Sequence, residues 1–408
     1  MNPATVRRAA VATFAIFALN GLVFASWAAR IPAVSRILGL DAVEMGLLLL
    51  TIAAGSVLAL PLAGTVVARA GTAWTVRIGG FLCAAAGVAI ALGLLSVSVP
   101  ATAAGLFFFG MGFGLWDVAQ NIEGADVERR LRRTVMPQFH GGFSGGAFLG
   151  ALLGAGLSAV DVGLPVHLLA IAAVVVLSMV ALPRLFLPHA SMPPAAAAGP
   201  KGRSAWTEGR TLLVGLVVLG AALTEGAAND WIAKATVDGL HTSESDGAIM
   251  FAVFVASMTT VRFAGGRLVD RFGRVRVLYA SLGAALAGLL LFVLAPSIWL
   301  AGLGAVLWGA GAAMGFPMGM SAAADDPARA AARVSVVSTI GYVAFLAGPP
   351  FLGFLGDHVT IRWALPAIGV AIVASILTAP AAGPLPAVDQ LPSDPPVRAP
   401  GERDLEPR

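Results

Sequence analysis

The chain has 408 residues, 58% of them hydrophobic and 12% charged, and its mean hydropathy is +0.86. A soluble globular protein carries about 25% charged residues, so this composition excludes an ordinary soluble domain and points to a polytopic membrane protein. The formal charge of +4 arises from arginines gathered in loops, which removes nucleic acid as a partner. The lone cysteine, Cys83, excludes an intramolecular disulfide and a cysteine-held zinc cluster and is read as packing.

A spanning helix needs about 20 mostly apolar residues. Twelve segments qualify: 9–30, 44–68, 76–96, 100–124, 137–160, 163–186, 210–233, 247–267, 275–295, 298–323, 334–356 and 362–382. The stretch 187–209 is rich in Pro and Ala and divides the chain into 1–186 and 210–382. The tail, 383–408, is Pro-rich and polar and is expected to be disordered. Lys and Arg collect in cytoplasmic loops. With the N-terminus inside, of 26 such residues only Arg30, Arg36, Lys234 and Arg362 fall outside, and Arg262 lies within a span. Both termini, the linker and the tail are therefore expected in the cytoplasm.

Span 1 has the makings of a signal peptide, with Arg7 and Arg8, an apolar run and the small residues of FASWAA. An internal repeat argues against cleavage. Trp27-Ala28-Ala29-Arg30 ends span 1 and Trp231-Ile232-Ala233-Lys234 ends span 7. GTVVARAG from Gly64 faces GRLVDRFG from Gly266, Asp126 and Arg129 face Asp326 and Arg329, and Ala147-Phe148-Leu149 faces Ala344-Phe345-Leu346. The order is the same and the offset nearly constant. The expected architecture is all-α, two six-helix bundles related by pseudo-symmetry, with a site between them near the membrane midplane.

An ionisable group at the centre of a span costs about 2.5–3.5 kcal/mol, so it faces a cavity or a partner. In span 4, Asp117 precedes Arg129 by about 12 residues, roughly 18 Å of helix, which puts it in the hydrocarbon region. Gly110, Gly114, Asp117, Asn121 and Gly124 share one small, polar face. A buried carboxyl group can carry a proton near neutral pH; the alternative is a structural acid held by a Ser, Trp or Arg partner. Glu123, Asp126 and Glu128 read as an ion-pair network with the arginines of 129–133. His140 opens span 5 as a proton relay or a hydrogen-bonded helix start. His167, His189, His241 and His358 fall in loops or at span ends. GGFSGGAFLGALLGAG (141–156) and AGPPFLGFLG (347–356) are small-residue helices that let neighbours pack and slide.

In span 7, Glu225 and Asn229 lie one turn apart and form a second coupling candidate; Asp230 beside them reads as interfacial. Asn20 occupies the matching region of span 1. Trp116, Trp27, Trp231 and Phe113 are candidates for stacking on a solute, against an ordinary interfacial role for Trp27 and Trp231. Arg30 and Lys234 are either snorkelling or an outer gate. Arg262 in span 8 either binds an anionic group, holds Asp117 or Glu225 ionised, or joins a gate.

The most specific signature is GGRLVDRFGRVRVL (265–278), between spans 8 and 9, with Gly265, Gly266 and Gly273 for close packing and a tight turn. On this loop the chain resembles the major facilitator superfamily. The resemblance implies that Gly266, Asp270, Arg271, Gly273 and Arg274 belong to a motif latching the halves on the cytoplasmic side. The first-half copy has Ala68 in place of the acid and keeps Arg69 and Gly71. LWDVAQN (115–121) resembles the fourth helix of the fucose-permease branch, which implies proton-coupled sugar uptake, although 17–32 has no acid before Arg30. NGLVFASWAARIP, EGADVERRL with MPQFHGGFS, and EGAANDW are similar to the MosC-like group.

The expected function is a proton-coupled secondary transporter of a small polar, sugar-like or cyclitol-like solute, in a bacterial inner membrane, acting as a monomer without a cofactor or metal. Proton-driven efflux of drugs or metabolites is the alternative, and a non-transporting receptor is a third. HExxH, G-x-S-x-G with partners, in-span His/Asp clusters and a P-loop are all lacking in the sequence, which argues against an enzyme and against ATP as the driver.

Overall fold

The structure, a computed structural model, describes residues 3–132, 135–188, 204–326 and 329–384. Most of the linker, His189, Arg133 and nearly all of the tail lie outside the described residues. Among the described residues twelve helical segments are long and apolar enough to cross a membrane, and no strand forms. In lipid every backbone N–H and C=O must be satisfied internally, so apolar runs of this length fold as helices.

The first half contains α1 (Pro3–Ala28) continued by the short α2 (Ile31–Leu38), then α3 (Ala42–Ala70), α4 (Thr72–Leu95), α5 (Val99–Leu131), α6 (Met136–Ala159) and α7 (Leu164–Ala181). The second contains α8 (Gly209–Leu240), α9 (Glu244–Phe272), α10 (Arg274–Leu294), α11 (Ile298–Ala323), α12 (Ala330–Val359), then α13 (Ile361–Ala364) and α14 (Ala367–Thr378). Packing repeats between them. α1 lies on α6 as α8 lies on α12; α3 and α4 flank α5 as α9 and α10 flank α11; α4 meets α7 as α10 meets α14. The halves meet along α6–α9 and α3–α12, so the two small-residue helices both sit at the interface.

The helix ends obey the same repeat. Asp41 caps α3 by accepting the Glu44 N–H at 2.8 Å while Glu44 accepts the Asp41 N–H at 3.1 Å. Ser243 and Asp246 form the equivalent capping box on α9. At the other end of these helices, the turns into α4 and α10 are made by Gly71 (φ 81°) and Gly273 (φ 79°), a backbone region open to glycine and strained for other residues.

The tightest crossing in the first half is between α1 and α6. A Cβ on Gly21 would lie 1.9 Å from the Phe143 carbonyl oxygen, and one on Gly146 would lie 1.8 Å from that of Ala18. Backbone, not a flexible side chain, occupies the space. Gly146→Ala is therefore expected to destabilise the protein by about 1–3 kcal/mol, the usual range for overpacking, read as a lowered melting temperature in detergent. An unchanged melting temperature would show that α1 and α6 can separate freely.

Candidate functional site

Between the halves lies a cavity of about 250 Å³, near the lower end of ligand pockets at about 300–1,000 Å³. α5 supplies Phe109, Phe113, Gly114 and Asp117. α1 and α3 supply Phe24, Trp27 and Ser56, and the opposite half supplies Asn229 and Asp230 from α8 and Tyr342 and Phe345 from α12. Phe24, Phe113 and Phe109 form a continuous aromatic wall, with ring centroids 5.9 and 6.2 Å apart.

Asp117 and Gly114, one turn before it, both face this space, and Gly114 also packs closely on Ser56 and Ala59 of α3. Asp117 Oδ1 accepts hydrogen bonds from Gln120 Nε2 at 3.0 Å and Asn121 Nδ2 at 3.2 Å, and Asn121 Nδ2 also donates to the Asp117 carbonyl at 2.8 Å. Asn121 thus orients the acid rather than lining the cavity. The rest of the glycine face is filled by neighbouring helices: Gly110 packs on the Ile52 backbone of α3, and Gly124 on Met136 and Phe139 of α6. Small residues on one face mark helix contact as readily as open space.

Glu225 does not line the cavity. Its Oε2 accepts from Arg262 Nη2 at 2.7 Å, and Arg262 Nε donates to the Ala313 carbonyl at 3.3 Å. Of the partners considered for Arg262, the structure pairs it with Glu225. Asn229 does line the cavity. Asn20 is fully buried in α1 with neither amide atom hydrogen-bonded among the described residues, and Trp116 is fully buried against Gly79 of α4; both lie away from the cavity wall.

Asp230, read from the sequence as interfacial, instead lines the cavity. The available signal was the face it shares with Gly226, one turn earlier. Ser56 and Tyr342 carried no comparable signal, since each is a neutral side chain among other scattered hydroxyl residues of its span.

One end of the cavity is closed. Arg36 Nε bonds Glu244 Oε1 at 2.6 Å, Lys234 Nζ donates to Ser35 Oγ at 2.8 Å, and Ser245 Oγ donates to the Ala155 carbonyl at 3.0 Å. All three bonds join the halves at the end away from the arginine-rich loops. Lys234 is buried, 8% exposed, and also pairs with Asp238 at 2.9 Å; Arg30, 3% exposed, donates to the carbonyls of Gly154 and Val162. Neither side chain snorkels. Lys234 joins the two halves, and Arg30 fastens α1 to the end of α6.

Comparison with known proteins fits this architecture. Residues 214–400 match the Major Facilitator Superfamily profile. An MFS-type transporter of Yersinia pestis, uncharacterized, is 31% identical over 85% of this chain and 88% of its own length. The chain belongs to the major facilitator superfamily. An uncharacterized transporter of Sinorhizobium fredii is 34% identical over 88% of this chain and 96% of its own, and the membrane protein MosC of Rhizobium meliloti is 26% identical over 86% and 84%. Among solved structures, the nucleoside transporter NupG superposes with a TM-score of 0.71 at 15% identity, covering 93% of this chain and 99% of its own. The Escherichia coli fucose:proton symporter FucP gives 0.60 at 17% identity, covering 92% and 100%. These likenesses carry the fold. The resemblance to the superfamily, to MosC and to a fucose permease is thereby supported, and a superfamily of transporters is not one of enzymes.

The superfamily motif loop sits at the arginine-rich end. Gly265 packs on Met314, Gly266 faces open space, and Gly273 makes the turn described above. Asp270 and Arg271 are exposed, the Arg271 guanidinium lying 5.2 Å from the Phe272 ring centroid. Arg274 turns inward and grips Asp325 with both nitrogens, at 2.9 and 3.0 Å; Arg210 Nη2 bonds the same carboxylate at 2.8 Å. Nearby, Glu208 is paired with Arg329 and Arg333. The first-half acids divide their roles: Asp126 pairs with Arg129 and Arg130, Glu128 caps α6 through the Val135 and Met136 N–H groups, and Glu123 binds Thr72 and the Leu187 N–H. Among the described residues, the ion pairs of this group with Arg129 and Arg130 centre on Asp126.

Burial alone would raise the Asp325 pKa, but hydrogen bonds and charge from Arg274 and Arg210 hold it below the ordinary carboxylate value. Its stabilisation is thus complete above the ordinary value of about 3.9 and is lost as pH falls through the lower folded value. Asp325→Asn is expected to cost about 1.5–3 kcal/mol, the scale of hydrogen bonds to charged groups. Thermal melts should show a constant deficit between about pH 5 and 8, narrowing only below about pH 4. A deficit that varied near neutrality would point to another titrating group.

Proposed function

We propose that the protein is a proton-coupled secondary transporter that moves a small polar solute across a bacterial inner membrane by alternating access, as a monomer and with the proton gradient in place of a cofactor. The observation that carries this reading is Asp117 on the wall of a cavity between two repeated halves, whose opposite mouth is shut by the Arg36–Glu244 and Lys234–Ser35 bonds. On this reading the arginine-rich end is the cytoplasmic one, supported by the bias of Lys and Arg, and both termini lie inside. The described conformation is then closed on the outside. Opening it requires these two bonds and the Ser245–Ala155 bond to break while the motif loop at Asp270 and Arg271 finds partners in the other half.

Uptake of a sugar-like or cyclitol-like solute fits the pairing of the Phe24–Phe113 wall with Ser56, Asn229 and the two carboxylates, since ring C–H faces lie on aromatics while hydroxyls donate to acids. Efflux of an apolar compound is the second reading, favoured by how much of the lining is Phe and aliphatic. Purified protein in proteoliposomes separates transport from other roles. An imposed pH gradient should drive accumulation or exchange of a polyol or amine panel, and solute addition should move protons. Solute flux indifferent to the gradient would end the coupling proposal.

A further inference from the structure

The cavity wall is charged in one sense. Two carboxylates, Asp117 and Asp230, face it from opposite halves, and among the described residues lining it none is Lys, Arg or His. The nearby cations are engaged elsewhere: Arg262 with Glu225, Lys234 with Asp238 and Ser35, Arg30 with backbone carbonyls. Asp117 has two amide N–H groups directed at one oxygen. Asp230 has none; among the described residues neither a hydrogen bond nor an ion pair reaches its carboxylate. A buried ionised acid without a partner is costly; such a group either takes up a proton or is paired by a ligand that supplies the charge.

The remainder of the wall selects the body of that ligand. Phe24, Phe113 and Phe345 line it, and aromatic rings attract cations as well as apolar surface. An anion would meet two acids and no counter-charge. A neutral solute would leave Asp230 without a compensating charge.

We propose that the transported solute is a small organic cation, a protonated amine on a compact body, whose charge is met by Asp230 and whose apolar face lies on the Phe24–Phe113 wall. This rests on the reading of the cavity as the solute site and deepens it. It assigns the two acids different tasks, Asp230 to the solute and Asp117 to the coupling proton.

The lone cysteine makes a direct test practicable, because Cys83 is buried. Ser56→Cys and, separately, Asn229→Cys place one reactive thiol on each wall of the cavity. Rates of modification are compared for a cationic methanethiosulfonate (aminoethyl), an anionic one (sulfonatoethyl) and a neutral one (methyl), the last reporting access alone. The expected cation-to-anion ratio, corrected for the same ratio at a cysteine on the exposed surface, is on the order of 10 or more, the scale by which a cleft of one charge concentrates counter-ions. In the Ser56→Cys background Asp230→Asn should lower that ratio several-fold, and benzylamine should protect the thiol better than benzyl alcohol or benzoate. Equal rates for the two charged reagents, a ratio unmoved by Asp230→Asn, or equal protection by all three ring compounds would overturn the proposal. The reagents report cavity charge whether or not solute moves. A protein that failed to couple protons would keep both the ratio and the selective protection by benzylamine, whereas a coupled transporter of neutral solutes would show equal protection by the three ring compounds.

Discussion

Asp117→Asn is expected to abolish gradient-driven accumulation while leaving the protein folded. The substitution is nearly isosteric, and its amide oxygen can still accept from Gln120 and Asn121, which reach Asp117 Oδ1 at 3.0 and 3.2 Å. Because both accepted hydrogen bonds can be kept, the melting temperature should move little. What is removed is the capacity to take up a proton on one side and release it on the other. One pH unit is worth about 1.4 kcal/mol, enough for roughly tenfold accumulation at one proton per solute. The variant should equilibrate solute without exceeding a ratio of one, and should retain solute exchange in the absence of a gradient. Accumulation equal to that of the unaltered protein would remove Asp117 from the mechanism and leave Asp230 as the remaining acid on the wall.

The fold was legible because its main determinants are long-range in number but simple in kind. Apolar length fixed the twelve spans, and the matched pairs such as Trp27 with Trp231 and Gly71 with Gly273 announced the repeat. The repeat in turn implied which helices pack together. The site was legible only in part. Asp117 stood out because an acid deep in an apolar run is expensive wherever it points. Its wall-mates did not, because lining a cavity is a property of rotation about a helix axis and of which neighbour fills the adjacent gap. Gly110 and Gly124 lie on the same helix face as Asp117, yet α3 and α6 occupy the space beside them. Glu225 and Asp230 are separated by little more than one turn, and only the second faces the cavity, the first being drawn to Arg262. Asn20 and Trp116 shared the same surface logic in the sequence and are buried against helices instead. Polarity within a span marks an energetic debt; the tertiary structure decides whether a solute, a proton or a neighbouring arginine settles it.

The Arg262–Glu225 pair supplies the second large effect. The two side chains are 29% and 18% exposed, their charged atoms 2.7 Å apart, and Arg262 also donates to the Ala313 carbonyl. Removing one member strands the other among packed helices. Breaking a buried pair this way costs about 3–5 kcal/mol, and the partial exposure of Arg262 places this one near 3. Arg262→Gln and Glu225→Gln should each lower the melting temperature strongly. The double variant should recover most of the loss, since a hydrogen-bonded neutral pair replaces a charged one and desolvation of both ions is avoided. Transport distinguishes structure from coupling. If the pair only fastens α8 to α9, the double variant accumulates solute normally and the coupling energy measured by the cycle is the whole of its role. If Glu225 instead exchanges protons when Arg262 lets go of it, the double variant will be stable and unable to concentrate solute, and the coupling acid will belong to α8 as well as to α5.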